Sequence, residues 1–133
     1  CLSPGHKLEK SKRVKQSHLQ GQNLLLLEEG HCLRDHALEA CNLEKADTNL
    51  VYQGTSLHTL VHMVANGLGV TLLPQIAVAA DVLGDTKLQL KKFNNENVSR
   101  EIGLAWRKSD PRREEYLLLA DFIRTNAIKL QSQ

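Results

Sequence analysis

NLLLLEEGHCLRDHALEAC, Asn23 to Cys41, is the stretch whose reading decides the fold. Leu24 to Leu27 is apolar without alternation, which suits a strand buried on both faces of a parallel sheet. Glu29-Gly30 closes that strand. From His31 the spacing changes, because Leu33, Ala37, Leu38 and Cys41 recur at three- and four-residue steps and so share one face of a helix. A strand that passes into a helix at Gly30 predicts a βα unit.

The same alternation continues outward. Upstream, Lys7–Gln16 (KLEKSKRVKQ) is polar and basic with little periodicity, and reads as a solvated loop or as a basic interaction patch. Downstream, a turn at Ala46–Asn49 leads to an expected strand at Leu50–Gln53. Thr55 or Ser56 then caps a helix carrying Leu57, Leu60, Val61 and Val64 on one stripe, with Gly67 placed to stop it. Gly69–Leu73 predicts a strand closed by Pro74, with a short helix over Gln75–Ala80. Lys87–Phe93 predicts an edge strand, Asn94–Asn97 a turn, and Ile102–Trp106 another strand. A long amphipathic helix with Pro111 near its start and Tyr116, Leu119, Phe122, Ile123 and Ala127 in helical rhythm should end the chain. Parallel βαβ units in an α/β domain are the expectation.

With 133 residues, 41% of them apolar, one compact core is expected. The net charge of +2, from 17 basic and 15 acidic residues, gives no overall bias toward polyanions. No apolar run is long enough to span a bilayer, so a soluble chain without a membrane partner is expected. Three cysteines are too few, and odd in number, for a secreted disulfide scaffold. A cytoplasmic location with reduced thiols follows. The opening Cys1-Leu2-Ser3-Pro4 reads as mid-strand, so the chain is expected to be part of a longer protein.

Cys32 falls near a helix N-terminus, where unpaired backbone N–H groups and the helix dipole favour a thiolate, with His31 and Arg34 flanking it. On position alone it is either an oxidisable thiol or an ordinary small residue at a strand-to-helix junction. Cys41 lies nine residues later on the apolar stripe, the usual place of a core cysteine. On one continuous helix the two would stand ~13 Å apart along the axis. A disulfide needs Cα atoms within roughly 7 Å, so joining them would require the helix to unwind. Were they close in the reduced state, the bond would be static.

Other constellations are weaker. His58 and His62 have the i,i+4 spacing of a zinc motif, but Thr59 stands where that motif has Glu. A nine-residue cysteine spacing does not fit a structural zinc site either. Gly67-Leu68-Gly69 follows a helix rather than a strand, the wrong order for a dinucleotide loop. Thr55 and Ser56 either cap their helix or bind an anionic ligand there. No cofactor is implied.

Thr55–Pro74, TSLHTLVHMVANGLGVTLLP, resembles the effector-domain segment of LysR-type transcriptional regulators, in which a cleft helix is followed by a Gly-x-Gly-(Ile/Val)-x-Leu-Leu-Pro strand. Gly30–Cys41, GHCLRDHALEAC, is similar to the redox loop of the peroxide-sensing, OxyR-type branch of that family, and the likeness continues through Ile102–Arg107 and the terminal helix.

The resemblance implies a periplasmic-binding-protein-like α/β regulatory domain, with 1–99 forming the second subdomain and 100–133 returning to the first. The DNA-binding domain and half of the first subdomain would be absent, which would leave the terminal helix uncovered and prone to association. It implies a sensor and not a turnover enzyme. Cys32 would be the peroxidatic cysteine, oxidised to a sulfenic acid, and Cys41 the resolving one. His31 would help to hold hydrogen peroxide near the thiolate, with Arg34 and Asp35 as local electrostatic support, and Thr55 and Ser56 are further candidate substrate-binding residues at the cleft helix. The partners implied are promoter DNA, further copies in a homodimer or homotetramer, and a reductant such as glutaredoxin or thioredoxin. A small-molecule effector domain with incidental cysteines, and a thiol peroxidase, are the rival readings.

Overall fold

A computed structural model describes residues 1–41, 52–93, 99 and 102–131, with the side chains of 40, 41 and 128–131 outside that description. In chain order the elements are β1 (Arg13–Val14), β2 (Leu24–Leu27), α1 (Cys32–Cys41), β3 (Gln53–Gly54), α2 (Leu57–Ala65), β4 (Val70–Thr71), α3 (Gln75–Ala79), β5 (Lys92–Phe93) and α4 (Arg113–Gln131). They fall into two compact units, Cys1–Ser99 and Arg100–Gln133.

In the first unit β2 is the middle strand of a parallel sheet ordered β3-β2-β4, with Leu26 beside Gln53 and Leu24 beside Val70. Successive strand residues point to opposite faces, so four leucines in a row supply both. Leu24 and Leu26 pack with Leu2, Leu19, Val70 and with Ala37 and Leu38 of α1. Leu25 and Leu27 pack with Leu60 and Val64 of α2, joined by the partly buried Leu33, Leu57 and Met63. Each fully buried leucine contributes about 1.5–3 kcal/mol by leaving water, which makes β2 the principal holder of both helices.

Backbone geometry explains the connections. Gly30 turns the chain from β2 into α1 at φ +93°, a conformation costly for any side chain with a Cβ. Gly69 lies against the Asn23 carbonyl, and a Cβ there would collide with it. Thr71 is buried in the sheet, and its hydroxyl donates to the Leu25 carbonyl at 2.7 Å, which satisfies the polar group.

Several sequence expectations shrink or shift. The strand expected at Gly69–Leu73 is reduced to β4, and of Lys87–Phe93 only β5 pairs, in parallel with β1, while Gln89 forms a single antiparallel bridge with Leu2. The basic segment expected to be loop contains β1, whose Val14 is 5% exposed and joins the core. Of the strand expected at Leu50–Gln53, Gln53 falls in β3 and Tyr52 does not, while 50 and 51 lie outside the described residues, as do the turns expected at Ala46–Asn49 and Asn94–Asn97.

In the second unit, Ile102–Trp106 is not a strand: it has no pairing partner among the described residues, and Ile102 is 71% exposed. An extended segment becomes a strand only when a neighbour takes its backbone hydrogen bonds. A polar clamp instead joins this stretch to the start of α4. The Arg112 guanidinium donates to both Asp110 carboxylate oxygens at 3.1 Å, Tyr116 donates to Asp110 at 3.0 Å, and the Trp106 and Tyr116 rings stand 5.6 Å apart. Leu118, Leu119, Phe122 and Ile123 of α4 are exposed. No helix among the described residues is long and apolar enough to cross a membrane.

Candidate redox site

The two cysteines of interest are the first and last residues of α1. Ten helical residues place their backbones about 13 Å apart along the axis at ~1.5 Å per residue. Cys32 is exposed, as are His31 before it and Asp35 and His36 one turn beyond it. The side chain of Cys41 lies outside the described residues. The third cysteine, Cys1, is half-buried at the sheet edge, where its carbonyl accepts from Thr71 N at 3.1 Å.

The N-terminal turn of α1 is tied down by backbone bonds from His31 N to Glu28 O at 3.4 Å and from Arg34 N to His31 O at 2.9 Å. Arg34 sits two positions after Cys32, hence ~200° around the helix, and residues so spaced do not share a face. Its side chain, 3% exposed, runs beneath the helix, donates from Nη1 to the Leu27 carbonyl at 3.1 Å and approaches Glu29 at 3.6 Å. The guanidinium therefore anchors α1 to the end of β2, while its Nε is buried without a hydrogen-bond partner. Beside it, at the C-terminal ends of β2 and β4, Leu27, Leu33, Leu57 and Leu72 line a narrow gap of about 10 Å³, space for roughly one water.

Ser56 caps α2: its hydroxyl accepts from Thr59 N at 3.1 Å and meets the Thr59 hydroxyl at 3.0 Å. Thr55 is exposed and, like Ser56, is not among the residues lining that gap. His58 and His62 are exposed on α2, and no group of three metal-ligating side chains occurs among the described residues. The structure thus groups His31, Cys32 and Asp35 on the exposed start of α1 and engages Arg34 and Ser56 in structural bonds. His36, given no peroxide role from sequence, joins the exposed group; its i,i+4 relation to Cys32 is the signal that finds it.

The LysR substrate binding domain family matches residues 1–127. A Dickeya chrysanthemi protein named hydrogen peroxide-inducible genes activator is 42% identical over 119 residues, which cover 90% of this chain and 39% of that protein. The Escherichia coli K12 DNA-binding transcriptional dual regulator OxyR is 43% identical over 111 residues, 84% of this chain and 36% of its own length. The chain therefore spans about two-fifths of these relatives. Among solved structures, a variant OxyR2 regulatory domain from Vibrio vulnificus superposes with a TM-score of 0.78 at 38% identity, covering 90% of this chain and 57% of that one. A peroxide-bound mutant of Corynebacterium glutamicum OxyR gives 0.80 at 30% identity over 97% of this chain and 41% of that one. The fold is the periplasmic-binding-protein-like α/β regulatory fold of such proteins, and the chain belongs to the LysR substrate-binding domain family, with OxyR-type regulators as its relatives.

Proposed function

We propose that this chain is the redox-sensing part of the regulatory domain of a peroxide-responsive transcription activator, switched by a reversible Cys32–Cys41 disulfide. The observation that carries the reading is the placement of the two cysteines within one helix, nine residues apart, the first of them exposed. The Cys32 thiolate attacks one peroxide oxygen, the O–O bond breaks, and the leaving hydroxide takes a proton to become water. Cys41 then attacks the sulfur of the sulfenic acid, the S–O bond breaks, and a second water leaves. Peroxide receives two electrons and the two thiols lose them. Each event consumes one peroxide and leaves the site oxidised until a dithiol reductant of the glutaredoxin or thioredoxin class restores it. On this reading the oxidised state persists long enough to act on transcription, so the protein serves as a sensor and not as a turnover enzyme.

The bond cannot form across an intact α1, since ~13 Å exceeds the roughly 7 Å that a disulfide tolerates. Oxidation therefore selects a chain in which α1 has given way, releasing the packing of Leu33, Ala37 and Leu38 and the Arg34 anchor. That is how a two-electron event becomes a rearranged surface. His31 and Asp35 orient peroxide at the exposed thiol, Thr55 before α2 is a further candidate substrate-binding residue, and Arg34 acts as a positioning residue. Residues 1–99 form the second regulatory subdomain and 100–133 the return to the first. In the full-length cytoplasmic regulator, the altered surface changes how a homotetramer holds promoter DNA.

The test is peptide mass mapping of the full-length regulator after stoichiometric peroxide. A two-hydrogen loss mapped to a Cys32–Cys41 link, abolished in Cys32→Ser and Cys41→Ser, is the expected result. Variants that still switch transcription with peroxide would reject the reading. Sustained peroxide turnover with a dithiol would favour the peroxidase instead, and tight metabolite binding indifferent to both substitutions would favour an effector domain.

A further inference from the structure

The basic segment Lys7–Gln16 contains β1 and keeps its lysines and Arg13 exposed around the buried Val14. Lys7, Lys10, Lys12, Arg13 and Lys15 stand in it against a single acid, Glu9, whose carboxylate accepts from Gly5 N at 2.6 Å. Within β1, Val14 faces the core, so Arg13 faces water. Lys15 continues the extended backbone at φ −92° and ψ 156°, and two residues on it returns to the face of Arg13. β5 pairs in parallel with β1, Arg13 beside Lys92 and Val14 beside Phe93. Arg13 and Lys92 are therefore lateral neighbours on the solvent face, separated by about the strand spacing of ~4.8 Å.

Like charges held side by side on a sheet repel. Among the described residues neither side chain has an acidic partner: the ion pairs there involve Arg34, Arg112, Arg113 and Arg124. No large apolar side chain in 7–16 is exposed, since Val14 is buried and Leu8 packs on the core, and of the described residues beside β5 only Leu90 is, at 42%, too little for an apolar centre. A protein partner usually requires an apolar or aromatic centre to its interface. A phosphate backbone requires only cations, because affinity comes from releasing its condensed counterions.

We propose that the face carrying Arg13, Lys15 and Lys92, with Lys7, Lys10 and Lys12 alongside, binds the phosphate backbone of duplex DNA without reading sequence. The choice of DNA over other polyanions rests on the reading of the chain as part of a DNA-bound regulator, where a nearby duplex would be present at high effective concentration. The thiol chemistry plays no part in it. Failure of the disulfide switch thus leaves the DNA proposal standing, and failure of DNA binding leaves the switch standing.

The test is fluorescence anisotropy of a labelled 30-base-pair duplex titrated with the reduced chain between 50 and 200 mM salt (conditions chosen as roughly those over which counterion release is large). The expected result is salt-sensitive binding in which the Arg13→Gln, Lys15→Gln, Lys92→Gln triple variant lowers the slope of log K against log salt by about 2.7, at ~0.9 per phosphate contact. A control triple variant of the same charge, Arg107→Gln, Lys108→Gln, Arg113→Gln, should keep the slope of the parent chain. Equal losses in both variants, no loss in the first, or tighter binding to phosphatidylserine vesicles or a polyglutamate peptide than to duplex would each overturn the proposal. All six side chains are solvent-exposed, and far-UV circular dichroism of both variants checks that the fold is kept.

Discussion

Leu38→Ala should make the Cys32–Cys41 pair easier to oxidise. Leu38 is 6% exposed and packs with Leu24, Leu26 and Ala37 against the sheet. It contributes there only while α1 is helical and docked. Truncating a buried leucine costs about 2–5 kcal/mol. If the oxidised chain has released α1, most of that cost falls on the reduced form alone. For a two-electron couple ~1.4 kcal/mol corresponds to about 30 mV, so the lower bound of ~2 kcal/mol makes the potential more negative by roughly 40 mV. The assay is equilibration of parent and variant in graded dithiol buffers, followed by alkylation and mass readout of the linked fraction. Reduced Leu38→Ala should also unfold at a lower urea midpoint. A variant that loses stability while its potential stays within about 10 mV of the parent would refute the reasoning, because Leu38 would then be equally packed in both redox states.

Three further outcomes test the description of the fold. Gly69→Ala puts a methyl group into the Asn23 carbonyl and should cost about 1–3 kcal/mol or more in urea unfolding; a change under ~0.5 kcal/mol would contradict that close approach. Ser56→Ala removes the α2 cap and should cost ~1 kcal/mol, with Ser56→Asp restoring most of it. Asp110 is held below the usual carboxylate range chiefly by the Arg112 side chain, then by the Arg112 backbone N–H and Tyr116. Its contribution is therefore full above the unfolded carboxylate pKa of about 3.9 and is lost as pH falls through the depressed folded value. Arg112→Ala should raise the Asp110 midpoint in a carboxyl NMR titration, and an unmoved midpoint would count against the clamp.

Particular residues show what the sequence could disclose. Leu24–Leu27 was legible because a short apolar run without alternation, closed by Glu29-Gly30, suits a strand buried on both faces, and both faces are filled. The Gly30 junction was legible because periodicity changes there and the turn takes a positive φ. Ile102–Trp106 misled because apolar content marks burial somewhere, whereas strand formation depends on a partner backbone that no local pattern names. The basic segment 7–16 hid β1 because one buried position, Val14, is too little to establish a period of two. At the candidate site, adjacency in sequence suggested Arg34 as support for Cys32, but two residues along a helix is nearly its opposite side, and the guanidinium went to the Leu27 carbonyl. The separation of Cys32 and Cys41 along one helix follows from counting residues, which made the redox argument legible in the sequence.

Hydrogen exchange across α1, compared in the reduced protein and after peroxide has linked Cys32 to Cys41, addresses the switch itself. Amides of residues 36–40, protected while they donate within the helix, should exchange quickly once the sulfurs are joined. Full linkage accompanied by undiminished protection through those same amides would show that the helix and the bond coexist, and the mechanism offered for this protein would fall.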